Sequence, residues 1–157
     1  MKGIKKIQII KGLRKNLSFE DASKIITNNK LQILIKLIYE FLDEQSIDAL
    51  HDLRIAVRRL RYSLELFYKC YPKKSYLKFY KSLELLQDKL GEIRDLDVMK
   101  EKLDYFEETY GIVIPNDLHV EMENKKTEFN ANLINYLNDF ISSKLTKKFL
   151  ITKQRLK

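Results

Sequence analysis

The chain has 157 residues, 33% of them charged and 45% hydrophobic, with only four Gly and two Pro. That length supports one domain that buries most of its apolar surface, and so few Gly and Pro exclude a β-rich fold built on many turns. Thirty Lys and Arg against twenty-two Asp and Glu give a net charge of +8, which favours polyanionic partners such as nucleic acid, polyphosphate or an anionic membrane surface.

The single Cys70 excludes an intrachain disulfide and reads as a small packing residue of an intracellular protein. No stretch approaches the roughly 18 apolar residues of a membrane span. Lys5, Lys6 and Lys11 interrupt Ile4, Ile7, Ile9 and Ile10, which spoils the apolar run of a signal peptide. A cytoplasmic location is expected.

Residues 1–16 read as a basic, loosely ordered leader. Ser18 with Asp21 resembles a capping box, opening a helix to about Glu44 with Ile25, Ile26, Ile33, Leu34, Leu37, Ile38, Phe41 and Leu42 near helical period. Ser46 or Asp48 can cap a second helix, which should stop near Tyr71 because Pro72 disfavours a helical residue before it. A third helix from about Lys74 presents Leu77, Tyr80, Leu83, Leu86 and Leu90 as its core face and Lys74, Lys78 and Lys81 as a basic face. Gly91 marks its end or a kink. Asp95 can cap the continuation, whose stripe of Leu96, Met99, Leu103, Phe106 and Tyr110 runs to Gly111, a suitable C′ residue. Ile114 to Asp117 read as a turn into a last helix from about Asp117 to Leu150, with Met122, Phe129, Leu133, Tyr136, Leu137, Phe140, Ile141 and Leu145 on its apolar side. Residues 151–157 read as a loose basic tail. The expected fold is all-α, an antiparallel bundle of about four long helices in a single domain spanning 1–157.

The second helix carries the most informative stretch, Leu50-His51-Asp52-Leu53-Arg54-Ile55-Ala56-Val57-Arg58-Arg59-Leu60-Arg61-Tyr62. At about 100° per residue from His51, the apolar Leu53, Ala56, Val57, Leu60, Leu64 and Phe67 gather at roughly 140° to 240° and form a core stripe. His51, Arg54, Arg58 and Arg61, spaced i, i+3, i+7 and i+10, line another face, while Arg59 points elsewhere. A narrower apolar strip of Ile55, Tyr62 and Leu66 flanks the cations. His51 falls in the first turn, where free N–H groups and the helix dipole also attract anions.

These residues carry a family resemblance. His-x-x-Arg-Ile-x-x-Arg-Arg-Leu-Arg, followed by Leu86-Gln87-Asp88-Lys89-Leu90-Gly91-Glu92-Ile93-Arg94-Asp95-Leu96-Asp97-Val98, resembles the two linked signatures of the CHAD (conserved histidine α-helical domain) family. The resemblance implies an all-helical domain whose basic residues line a channel that binds inorganic polyphosphate. It also implies association with polyphosphate granules. Family members usually carry the His/Arg signature twice, in two pseudo-twofold halves; here it occurs once. Placing His119 on His51 sets Met122, Lys126 and Phe129 where Arg54, Arg58 and Arg61 stand, so the chain reads as half of a CHAD-type double bundle. A C2 homodimer joined through Ile55, Tyr62 and Leu66 would complete the channel.

A solvated surface face is the bland reading of an Arg-rich helix. Three features favour a site: Arg over Lys in a Lys-rich chain, since the guanidinium fork matches phosphate oxygens; the apolar flanks; and the shortage of acidic partners, with only Glu65 well placed on the stripe's own helix. The expected polyphosphate-binding residues are His51, Arg54, Arg58, Arg61, Lys78, Lys81, Arg94 and Lys126, supported by Arg59, Tyr62, Asp95 and Asp97. Asp95 and Asp97 are too few to hold a metal, and His119 has no second ligand beside it. There is no Gly-rich phosphate loop, no nucleophile with a base at motif spacing and no Cys/His metal pattern, so neither catalysis nor a cofactor is expected. The alternative function is nucleic-acid binding, to RNA or single-stranded DNA, through the arginines and the nine tyrosines.

Overall fold

A computed structural model describes residues 10–150; the first nine residues of the expected leader and the tail at 151–157 lie outside the described residues. The elements are α1 (Phe19–Asp43), α2 (Ile47–Leu66), a 3-10 turn (Tyr68–Cys70), α3 (Lys73–Tyr110), α4 (Asn116–Ser142) and α5 (Lys144–Phe149). Among the described residues there are no strands. The four long helices pack antiparallel, each against the next, and α1 touches α4 and α5 to close the bundle.

The helix starts follow local chemistry. Ser18 Oγ accepts the Asp21 N–H at 3.0 Å and donates to the Asp21 carboxylate at 2.7 Å, satisfying one of the free amides of the first turn. Of the two cap candidates for α2, Ser46 takes the role, its Oγ accepting the Ala49 N–H at 3.2 Å. α2 gives way at Leu66 to the 3-10 turn. Tyr71 is then extended (φ −123°, ψ 148°), the conformation Pro72 imposes on its predecessor. Gly111 ends α3 in the left-handed region (φ 63°), its N–H reaching Glu107 O at 3.0 Å.

Three sequence expectations are corrected. Gly91 neither ends nor splits α3, and Asp95 lies within the helix and caps nothing. A helical Gly costs about 1 kcal/mol relative to Ala, which burial of Leu86, Leu90 and Ile93 around it readily offsets. The core face of α3 is Phe79, Leu83, Leu86, Leu90 and Ile93, running on to Asp97. Leu77, two residues from Phe79 and so about 200° away, is 52% exposed. Met99, Phe106 and Tyr110 are likewise exposed. The last helix breaks at Ser143, whose Oγ accepts the Thr146 N–H at 3.0 Å and starts α5 in a new direction.

One contiguous core draws on all five helices: Leu34, Ile38 and Phe41 from α1, Leu53, Val57, Leu60 and Leu64 from α2, the α3 face above, Leu133, Leu137 and Phe140 from α4, and Phe149 from α5. Phe149 stacks on Phe79 with ring centroids 4.1 Å apart, so α5 folds back over the start of α3. Tyr136 donates to Ser82 O at 2.7 Å and Tyr71 to Ser23 O at 3.3 Å, tying α4 to α3 and the α2–α3 connection to α1.

Candidate functional site

With its apolar stripe committed to the core, α2 turns the remaining side chains outward in three rows. His51, Arg58 and Tyr62 are exposed along the middle. Arg54 and Arg61, half-buried, lean to the α3 side. Asp52, Ile55 and Arg59 line a cleft of about 160 Å³ on the α1 side, opposite Lys30, Ile33 and Leu37.

Arg61 fixes the geometry of the α2–α3 groove. Its Nη1 donates to Gln87 Oε1 at 2.9 Å, its Nη2 donates to the Tyr80 hydroxyl at 2.6 Å, and Glu84 lies 3.5 Å away. The guanidinium also sits 4.7 Å from the centre of the Tyr80 ring, and the Tyr80 hydroxyl donates to Glu65. Burial pulls the guanidinium pKa down, but the Tyr80 hydrogen bond and the charges of Glu84 and Glu65 more than compensate, so it is raised. Burial and the hydrogen bond to Glu65 raise the Tyr80 phenol. Arg61 is therefore a neutralised strut between two helices.

The rest of the stripe is different. Arg54, Arg58, Arg59 and His51 have no ion-pair partner among the described residues. In the antiparallel register that Arg61 sets against Glu84 and Gln87, each step toward the start of α2 is a step toward the end of α3. Arg58 thus comes level with the turn from Gln87 to Leu90, and Arg54 with Gly91 to Arg94. Gly91 offers no side chain there, and a Cβ built on it meets nothing within 4 Å. The groove is open where the unpaired arginines border it.

The other expected site residues divide. Arg94, half-buried, borders the groove and pairs with Glu101 at 3.2 Å. Lys81 pairs with Glu84 at 3.5 Å, at the groove's far end. Lys78 is exposed and lies nine residues from Gln87, about 180° around α3 and so off the groove. Lys126 donates to Asp97 Oδ1 at 2.6 Å in the α3–α4 seam. Asp97 is only 6% exposed, and its Oδ2 has no partner. Asp95 is exposed. Tyr62 and Leu66 stand at 61% and 66% exposure, but Ile55 is drawn into the α1-side cleft.

Sequence reasoning missed Tyr80, Glu84 and Gln87 as the partners of Arg61, because they come from another helix. It also missed Lys30, whose pKa is lowered by partial burial and then by Arg59 across the cleft. Lys30 follows the polar run Thr27-Asn28-Asn29 on α1, and nothing in the chain marks it as facing Arg59.

Among the described residues, no three His, Cys, Asp or Glu side chains gather as a metal ion would need. No described helix is long and apolar enough to cross a membrane. The model of the CHAD domain matches residues 14–104, which take in the Arg-rich helix, the groove and the glycine of α3. The chain belongs to the CHAD family. Known CHAD domains bind polyphosphate and are generally non-catalytic. No curated protein and no solved structure matches the chain. The CHAD match stops at Asp104, before the end of α3, so the end of α3, all of α4 and α5 lie beyond it.

Proposed function

We propose that this CHAD domain binds inorganic polyphosphate without chemical conversion, along the groove between α2 and α3. Arg54 and Arg58 would carry the binding, with His51 and Arg94 at its edge and Arg59 extending the charged surface toward α1. The observation that supports this best is the contrast within one stripe: Arg61 is neutralised by its neighbours, whereas Arg54 and Arg58 border the groove with no carboxylate in ion-pair contact. Crowded cations without anions repel one another, so a polyanion stabilises such a face. Bidentate guanidinium contacts suit phosphate oxygens, and a polyphosphate presents them in series. Recruitment to polyphosphate granules follows from the same affinity.

The competing reading, nucleic-acid binding, uses the same arginines but needs aromatic platforms for bases. Tyr62 is the exposed ring on this face of α2, while Tyr80 is held by Arg61 and Glu65. The deciding measurement is a competition at matched salt between labelled polyphosphate and labelled single-stranded RNA. Polyphosphate should be preferred by about tenfold or more; a preference for RNA of that size would overturn the assignment.

A further inference from the structure

α3 continues well past the rest of the bundle. From Val98 onward it buries no residue, and α4 buries only Met122 before Leu133. The ends of α3 and α4 therefore form a two-helix arm, held by Lys100 to Glu123 at 2.6 Å and by Glu107 to His119 at 3.6 Å. From Asp97 to Tyr110 the arm is roughly 20 Å long at 1.5 Å per residue, a match for the roughly 15 Å from His51 to Arg61.

Two properties mark this arm as a contact surface. Its tip is aromatic and exposed: Tyr105, Phe106 and Tyr110 touch one another with ring centroids 5.7 to 6.3 Å apart, beside Val113 at 88% exposure. Its charge is opposite to that of the rest of the chain. Residues 95–124 hold nine carboxylates and two lysines, and the remaining residues hold thirteen carboxylates and twenty-eight Lys and Arg. Asp95, Asp104, Glu108 and Asp117 have no ion-pair partner among the described residues.

We propose that the acidic, aromatic-tipped arm docks on the basic α2 face of a second copy of this chain, and that polyphosphate displaces it. Charge complementarity selects the occupant. The unpaired carboxylates of the arm meet the unpaired Arg54 and Arg58, and its aromatic tip covers Tyr62 and Leu66, the exposed apolar residues beside them. If each copy gives its arm and receives the other's, the interface closes as a C2 dimer. A like-to-like pairing through Tyr62 and Leu66 would instead set the arginines of one copy against those of the other, which is repulsive without a polyanion between them. The competition with polyphosphate rests on the function proposed above; the docking itself does not.

The test uses two variants of the full chain, Asp104→Lys/Glu108→Lys on the arm and Arg58→Glu on the face, with sedimentation at low salt. All the altered residues are exposed, so folding should survive, and circular dichroism checks that it does. Wild type should dimerise, and each variant alone should dissociate about tenfold or more easily. An equimolar mixture should recover dimer, since the arm of the Arg58→Glu chain still fits the face of the other. A monomeric wild type, variants that dimerise like wild type, or a mixture with no recovery overturns the docking. Added polyphosphate should drive wild type toward monomer; a rise in dimer would overturn displacement and favour the like-to-like pairing. Absence of any polyphosphate binding would refute the proposed function and leave the mixing result to decide the docking alone.

Discussion

Arg58 and Arg61 stand one turn apart on the same helix and have different jobs. Arg61 spends its donors on Gln87 and Tyr80, with Glu84 close by, and its side chain is largely shielded from solvent. Removing it leaves Gln87 Oε1 and the Tyr80 hydroxyl without their donor, and Glu84 with Lys81 alone. Arg61→Ala should therefore lower stability by about 1–3 kcal/mol, the range for losing one member of a part-buried, charge-assisted network. Denaturant midpoints would show it. Arg58, exposed and unpaired, has nothing to lose on folding. Arg58→Glu should leave the midpoint nearly unchanged and cut polyphosphate affinity about tenfold or more. Lys144→Glu, an equal change in net charge on the exposed start of α5, is the control. Equal losses for Arg58→Glu and Lys144→Glu would mean that net charge, and not the groove, does the binding.

At the scale of the element, α3 is the unusual part: 38 residues, about 57 Å, unbroken through Gly91. The glycine has helical geometry and open space around a built Cβ, so nothing local requires it. Gly91→Ala should raise stability by about 0.5–1 kcal/mol through lower backbone entropy in the unfolded chain, read from the denaturant midpoint with an unchanged m-value. A loss of stability would show that the groove closes more tightly on this turn than the structure indicates. The same helix shows how much could be read in advance. The caps at Ser18 and Ser46, the Pro72 stop, the Gly111 stop and the core stripe of α2 were legible, since each depends on residues of one helix and its ends. The face of α3 was not. Its apolar residues lie all around the helix because the outer stripe, Leu77, Leu85, Met99 and Phe106, is as apolar as the inner one, and only the neighbouring helices decide which is buried. For the same reason the row of His51, Arg54, Arg58 and Arg61 was visible in the chain, whereas the neutralisation of Arg61 and the diversion of Lys126 to Asp97 required the packing of α3 against α2 and α4.

At the scale of the whole molecule, a net charge of +8 conceals a separation of charge that determines how binding should respond to salt. Diffuse attraction by the whole basic body would engage many cations and release many counterions. A groove that engages Arg54, Arg58 and Arg94, with His51 at its edge, engages three or four groups. By analogy with single-stranded nucleic acids, where the slope of log K against log salt is about −0.7 per phosphate contact, groove binding predicts a slope on the order of −2 to −3. The measurement is a titration of polyphosphate against the protein across a range of ionic strength. A slope beyond about −6 would indicate binding over the general surface and would remove the groove's claim to specificity. Arm docking weakens with salt as well, since its exposed ion pairs are screened over about 10 Å at 0.1 M. Losing that competitor makes polyphosphate binding fall less steeply with salt in wild type than in the arm variant Asp104→Lys/Glu108→Lys, in which no arm occupies the groove at any salt. The difference between the two slopes thus reports the charge that the arm itself brings to the basic face.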